Sequence, residues 1–318
     1  MKKIILLYNL NRHQFDYETE FDSEYTIDSI YNSLKDNYKI IKVEADKEFK
    51  WIKKVNDLTP DLIFNICEGY NGPARESVYA AILEQYKYNY SGPDSTNLLV
   101  CHNKYLSKNI LKNDILVPFG YVIENKKEIF SIDIKHYPCI VKFNSEGSSL
   151  GMTSKSVVNN FQELEEQVNS LFNQYNKNVL IEEYIDGKDI SMIYVEGLGA
   201  LGPCEVKCDS MFYDYEMKSE KDDTVEIATM DGNYKKLKEI VSLIAKKLDI
   251  KGYAKLDFRI KGNKFYLIEV NAQVSFHPEG EFITCAKKDG YTFDEIINHI
   301  VNHAIKKGFK ENSVGWRE

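Results

Sequence analysis

The chain has 318 residues, 43% of them hydrophobic and 28% charged, with a formal net charge of −8. That length accommodates two or three sub-domains around substantial cores, and the absence of any Lys/Arg-dense tract excludes nucleic acid as the main partner, because phosphate neutralisation needs clustered cations. No apolar run approaches the ~20 residues of a membrane span, and the first one stops at Asn9, short of a signal peptide, so a cytoplasmic protein acting on small molecules is expected.

Residues 3–8 read as a buried strand, 23–34 as a helix, and 38–43 as a second strand. The turn signal at Thr59 and Pro60 precedes a third strand over 61–67, and 76–85 reads as helix. Strand and helix alternate, so this part is expected to be a parallel α/β unit. A second region opens with a helix over 103–112. It continues with strands over 119–122 and 138–143 and a helix over 160–172 with Asn160 as N-cap. From residue 179 the pattern gives strand, a polar interruption, a helix over 233–248, and strands over 253–260 and 264–270. A last helix over 293–306 ends before Gly308. The expected divisions are residues 1–95, 96–180 and 181–318, with a site where they abut.

The six cysteines, Cys67, Cys101, Cys139, Cys204, Cys208 and Cys285, show no C-x-x-C spacing and read as free buried thiols rather than zinc ligands. His299 and His303 have the i, i+4 spacing of a helical metal pair but no evident third ligand, so a surface or packing role is expected.

Three stretches carry chemistry. In PCIVKFNSEGSSLGM (138–152) a buried strand delivers Lys142 and turns through a Gly/Ser loop. Small residues let backbone N–H groups approach anionic oxygens, and a lysine at the same place adds full charge, although such a hairpin alone is often only a turn. In YAKLDFRI (253–260) and FYLIEVN (265–271) two adjacent strands alternate, so Lys255, Asp257 and Arg259 share one face, as do Glu269 and Asn271. Two carboxylates and a carboxamide beside two cations suit Mg²⁺ bridging phosphates. A solvated face is the plainer reading, but Glu269 sits in an otherwise apolar strand where an unpaired carboxylate is costly. In VLIEEYIDGKDI (179–190) a strand ends in acids that could accept from an adenine or ribose, or be ordinary turn residues.

In this order and spacing the three stretches resemble the ATP-grasp fold, specifically the D-alanine–D-alanine ligase branch, over nearly the whole chain. The resemblance implies a mixed α/β (α+β) protein with a parallel N-terminal domain and two sub-domains clamping ATP. It implies that Lys104 and Lys142 bind ATP, that the loop of Glu146, Gly147, Ser148 and Ser149 covers the phosphates, and that Glu182 and Asp189 hold adenine and ribose beside Glu183 and Ile185. Asp257, Glu269 and Asn271 match ligands of two Mg²⁺ ions, and residues 213–218 resemble a mobile loop whose Lys218 approaches the transferred phosphate. The segment FNICEG (64–69), with Glu68 and with Arg75 and Glu76 downstream, resembles a variant of the family's first-domain motif. The implied reaction activates a carboxylate as an acyl phosphate, which an amine then attacks with loss of phosphate; cations neutralise the moving charge and one near the acyl carbon stabilises the oxyanion.

The chain departs from the family at the acceptor side. Lys255 stands where the family has arginine and lacks the bidentate fork, a loss that Arg259 is expected to compensate. Gly280 falls at the place of a substrate-binding serine, flanked by acids including Glu281, and His277 lies in the same altered segment. Ser219 replaces a tyrosine after Lys218. The acid that grips the donor's amino group matches Glu20 or Glu24. The catalytic set is therefore expected to be Lys255, Ser148 and Arg259, with Glu20, Glu68, His277, Gly280 and Glu281 toward amino-acid or peptide substrates. The acceptor is expected to differ from D-alanine. The alternatives are a ligase acting on a peptide or other carboxylate, and a non-catalytic ATP-binding regulator. Relatives imply a homodimer.

Overall fold

The computed structural model describes residues 1–134, 136–175, 177–207, 226–230, 232 and 234–308. Its N-terminal part is a parallel sheet of β1 (Lys3–Tyr8), β2 (Lys39–Glu44) and β3 (Leu62–Ile66) in the order β2-β1-β3. β1 and β3 read as near-unbroken apolar runs because both of their faces are covered, while the edge strand β2 carries Lys39, Lys42 and Glu44 and is only partly buried. Ile5 and Leu7 enter one core and Ile4 and Leu6 another. α1 (Glu24–Leu34) begins where Ser23 accepts from the Thr26 amide. α2 (Trp51–Leu58), α3 (Arg75–Gln85), α4 (Ser95–His102) and α5 (Lys104–Leu111) follow. α2 and α4 were not read from the sequence; each has only eight residues, and Asp94 caps α4 through its side chain.

The middle of the chain folds into a four-stranded antiparallel sheet, β4 (Gly120–Ile123), β5 (Cys139–Phe143), β6 (Val157–Val158) and β7 (Val179–Glu183), in the order β4-β7-β5-β6. α6 (Phe161–Tyr175) packs on it, and Asn160 caps that helix by accepting from the Glu163 amide at 3.0 Å. The last part is a five-stranded antiparallel sheet, β8 (Lys188–Val195), β9 (Gly199–Lys207), β10 (Glu226–Thr229), β11 (Tyr253–Lys261) and β12 (Lys264–Asn271), in the order β10-β9-β8-β11-β12. α7 (Lys235–Lys247), α8 (Glu281–Lys288) and α9 (Phe293–Lys307) cover it. A capping box between Thr292 and Glu295 starts α9, and Gly308 ends it.

The cores tie these parts together unequally. The two clusters that sandwich the parallel sheet continue into the five-stranded sheet: Leu237, Val241, Leu256 and Leu267 join one, and Tyr253, Phe276, Phe282 and Ile297 the other. The four-stranded sheet has its own cluster, built from Val141, Phe143, Leu164, Val168 and Ile181. First and last parts are thus one apolar body, and the central part abuts it through polar contacts around a cleft.

One buried contact across that body titrates near neutrality. Asp22 lies against Ser275, whose hydroxyl donates to Oδ1 at 2.9 Å. Burial pushes the Asp22 carboxyl up to about 7, the serine only partly opposing it. Its unfolded value is about 3.9, so the stability it contributes is fully present below about pH 4 and lost as pH rises through 7. Asp22→Asn is expected to match wild type in urea denaturation at pH 4 and exceed it by a few kcal/mol at pH 8.

Candidate active site

The cleft lies between the four-stranded and five-stranded sheets and encloses roughly 1020 Å³, counting its open mouth. Its centre is Glu182 on β7, 2% exposed and in contact with two lysines. Lys108 on α5 donates to Oε1, and Lys142 on β5 sits 3.0 Å from Oε2, close enough for an ion pair though off line for a hydrogen bond. Burial alone would raise the Glu182 carboxyl, but Lys108 and Lys142 outweigh it and hold it below the usual range. Burial pushes Lys108 down to about 8, with Glu182 opposing and Lys142 adding to the fall. Lys108 also donates to the Ile268 carbonyl at 3.0 Å. That carbonyl is free because β12 carries a bulge: Asp257 pairs with Glu269 and Phe258 with Leu267, leaving Ile268 outside the ladder.

Period-2 alternation brings the acids of β11 and β12 to the cleft floor. Asn271 Nδ2 lies 3.0 Å from Asp257 Oδ2 and 3.2 Å from Glu269 Oε1, and Ser191 donates to Asp257 Oδ1 at 2.6 Å. Burial pushes Asp257 up to about 6, Lys255 opposing and Glu269 adding to it. Lys255 Nζ sits 2.9 Å from Asp257 Oδ2 and 3.7 Å from Glu281 Oε1. Burial works against its charge, but Asp257, Glu281 and Glu269 more than offset that and raise its pKa. These hard oxygen donors, within hydrogen-bond reach of one another, fit Mg²⁺. The Asn271 amide would turn its oxygen toward a cation, a rotation of one torsion.

Lys104 opens α5, with Nζ 3.2 Å from Glu269 and 2.5 Å from the Glu146 carbonyl. Beyond β5 the chain makes two successive turns, Leu150 donating to Gly147 and Met152 to Ser149. Ser148 and Ser149 take left-handed backbone, φ 47° and 55°. Glu146, Gly147 and Ser149 line the cleft, whereas Ser148 does not. Glu183 and Ile185 also line it, on the segment that leaves β7.

Several residues stand differently from the expectation. Glu182, expected to face a base, has its carboxylate committed to two lysines. Arg259 lines the cleft but does not back up Lys255: Nε and Nη2 bind Asp189 at 2.7 and 2.8 Å, and Nη1 donates to the Ile185 carbonyl at 2.9 Å. The fork matches a carboxylate, so the guanidinium is held at the Asp189 end. His277 is outside the cleft, its ring 5.4 Å from that of Tyr25 and its Nδ1 3.2 Å from Glu279. Gly280 caps α8 and so delivers Glu281 to the cleft. Glu20 reaches the loop after β5, while Glu24 is exposed at the start of α1. Glu68 is 7% exposed with no hydrogen-bond or ion-pair partner among the described residues. Burial, then Glu76 and Asp22, raise its carboxyl well above the usual range. Its oxygens gather with those of Glu20 and Glu76 within 4.8 Å. Lys218, the rest of 213–218, Ser219 and Cys208 lie outside the described residues. The other five cysteines are buried free thiols, and His299 and His303 pack against Glu196. Lys108 and Ser191 were not anticipated, and Arg75 was noted only as part of the first-domain motif. Lys108 stands at i+4 from Lys104 on one helix face, but its partners come from β7 and β12.

Residues 121–302 match the family described as D-ala D-ala ligase C-terminus. The chain belongs to the D-alanine–D-alanine ligase family. Among curated relatives, the D-alanine–D-alanine ligase of Pelagibacter ubique is 30% identical, covering 85% of this chain and 89% of its own, and that of Fervidobacterium nodosum is 29% identical, covering 83% and 88%. The solved ligase of Bacillus anthracis superposes with a TM-score of 0.79 at 20% identity, covering 96% and 98% of the two chains. The VanG D-Ala:D-Ser ligase of Enterococcus faecalis gives 0.74 at 19%, covering 95% and 99%. The chain is accordingly an ATP-grasp, ADP-forming carbon–nitrogen ligase, and ATP and Mg²⁺ are general to that family. Among the described residues no helix is long and apolar enough to cross a membrane.

Lys108→Met would leave Glu182 with one cation. Removing one partner of a buried pair costs about 3–5 kcal/mol, so the urea midpoint should fall accordingly; an unchanged midpoint would contradict the buried pairing.

Proposed function

We propose that this ligase joins an amino-acid or peptide carboxylate to an amine other than D-alanine. The observation that carries the reading is the state of Lys255. It is the cation at the acceptor end, and Asp257 and Glu281 already surround it. An incoming carboxylate would meet acids there, whereas a neutral amide or an ammonium would not. Gly280 offers no hydroxyl to hold a carboxylate. The name of the Enterococcus faecalis relative, a D-Ala:D-Ser ligase, gives a fold of this kind an acceptor other than D-alanine.

In this reading Lys104 and Lys142 carry positive charge to the phosphates, and the backbone of Gly147 to Ser149 approaches them without side-chain obstruction. Asp189, oriented by Arg259, faces the ribose, and Glu183 and Ile185 line the base. Asp257, Glu269 and Asn271 would hold Mg²⁺, which when bound neutralises phosphate charge. Lys255 is proposed nearest the acyl carbon as the oxyanion's partner, and Lys218 as a further cation for the transferred phosphate. Glu68, and beside it Glu20, are proposed toward the donor's amino group: the Glu68 carboxyl, unpartnered among the described residues, is relieved by an arriving cation, while Glu20 already holds Arg75.

The test is ADP and phosphate release with Mg²⁺ across D- and L-amino acids, amino-acid amides and dipeptides, with products identified by mass. Turnover is expected to require a particular pair and to be weakest with D-alanine as acceptor. Strong D-alanyl-D-alanine synthesis would overturn the acceptor claim, and nucleotide binding without turnover by any pair would favour a regulatory role. Asp257→Asn should weaken Mg²⁺-dependent ATP binding at least tenfold, as a lost charged ligand would by about 1.4 kcal/mol or more.

A further inference from the structure

Arg75 opens α3 and is 6% exposed. Its guanidinium meets three parts of the chain. Nη2 donates to Glu20 Oε2, in the segment before α1. Nη1 lies 3.1 Å from Glu146 Oε2, in the loop after β5, and 3.1 Å from His102 Nε2. His102 Nδ1 is 2.5 Å from Glu76 Oε1. Glu76 thereby fixes the ring so that the Nε2 lone pair faces the guanidinium, which is held from behind.

Glu146 is the receiving end. Its other oxygen takes Lys177 at 2.5 Å, and its carbonyl takes Lys104. One residue on, a Cβ at Gly147 would lie 1.9 Å from Glu20 Oε1, so the loop rests directly on the Glu20 carboxylate. The central part shares no apolar cluster with the N-terminal part among the described residues. Its register against the parallel domain therefore depends on polar contacts, and this one is buried. A guanidinium fork holds two carboxylates at fixed angles in one plane, whereas a lysine's rotating ammonium sets no such geometry. Without it Glu20 and Glu146 would face each other as like charges.

We propose that Arg75 is a positioning residue for phosphoryl transfer: by bridging Glu20 and Glu146 it holds the 144–151 loop over the nucleotide phosphates and aligns it with the donor side of the cleft. This rests on the ATP-grasp ligase reading above. Arg75 makes no direct contact with the reacting atoms in this assignment; it acts through Glu146 and Glu20.

The experiment compares wild type, Arg75→Lys, Arg75→Met, Glu146→Gln and the Met/Gln double variant. Each is measured for binding of the imido analogue of ATP with Mg²⁺ by calorimetry, and for hydrogen exchange of residues 144–151 in the nucleotide complex. Arg75→Met is expected to weaken binding tenfold or more and to speed exchange in 144–151 while α3 and β1 to β3 stay protected. Arg75→Lys should fall between, and the double variant should be no worse than Arg75→Met. Binding within twofold of wild type with a protected loop would overturn the proposal. So would losses that add in the double variant, or exchange that quickens throughout α3 and the parallel sheet. Should Arg75→Met fail to fold, unchanged binding in both Arg75→Lys and Glu146→Gln would overturn it. Failure of the wild type itself to bind the analogue would instead overturn the ligase reading, and this proposal with it.

Discussion

A carboxylate with almost no access to water, Glu182, joins the two halves of the nucleotide cleft. It sits on the central sheet, and its two lysines come from β5 of the same sheet and from α5 beneath the five-stranded sheet. Lys108 then reaches the bulged carbonyl of β12. An ionised carboxylate cannot remain there alone, because desolvation of a lone charge costs far more than a fold can supply. The lysines therefore hold the charge that lets this carboxylate stay ionised between the sheets.

Around that centre the charges fall into a graded series. At one end Arg259 locks Asp189 in a two-pronged pair; Lys104 and Lys142 pair with Glu269 and Glu182; at the other end Asp257 and Glu281 surround Lys255. The cation-rich middle suits anionic groups, and the acid-rich end disfavours them. Apolar burial reinforces the division. The parallel domain and five-stranded sheet share two cores and behave as one body, while the central sheet rests on a core of its own. Polar contacts at the seam therefore join the central sheet to that body around the cleft.

Much of this was written in local pattern. β1, β3, β5, β11 and β12 announced themselves by apolar runs or alternation, and Asn160 and Gly308 marked helix ends. Asp257, Glu269 and Asn271 could be placed together because two strands joined by a tight turn must pair and side chains two apart share a face. α4 escaped because its apolar residues, 98 to 101, run consecutively and mark no helical face, and α2 went unread although its apolar residues at 51, 52, 55 and 58 follow one.

The sequence by itself determined which residues lie on each strand face and hence the chemistry available: two lysines, a small-residue loop and a set of hard oxygen ligands. Those depend on near neighbours and on a backbone period. Only the tertiary structure decided the partners. Arg259 turns to Asp189 across β8 instead of backing Lys255, Glu182 goes to Lys108, His277 is left at the surface beside Tyr25, and Arg75 meets Glu146 from 71 residues away. A long charged side chain can reach any of several opposite charges, and which it takes is set by how separate sheets dock, a matter of shape and desolvation that no local spacing encodes.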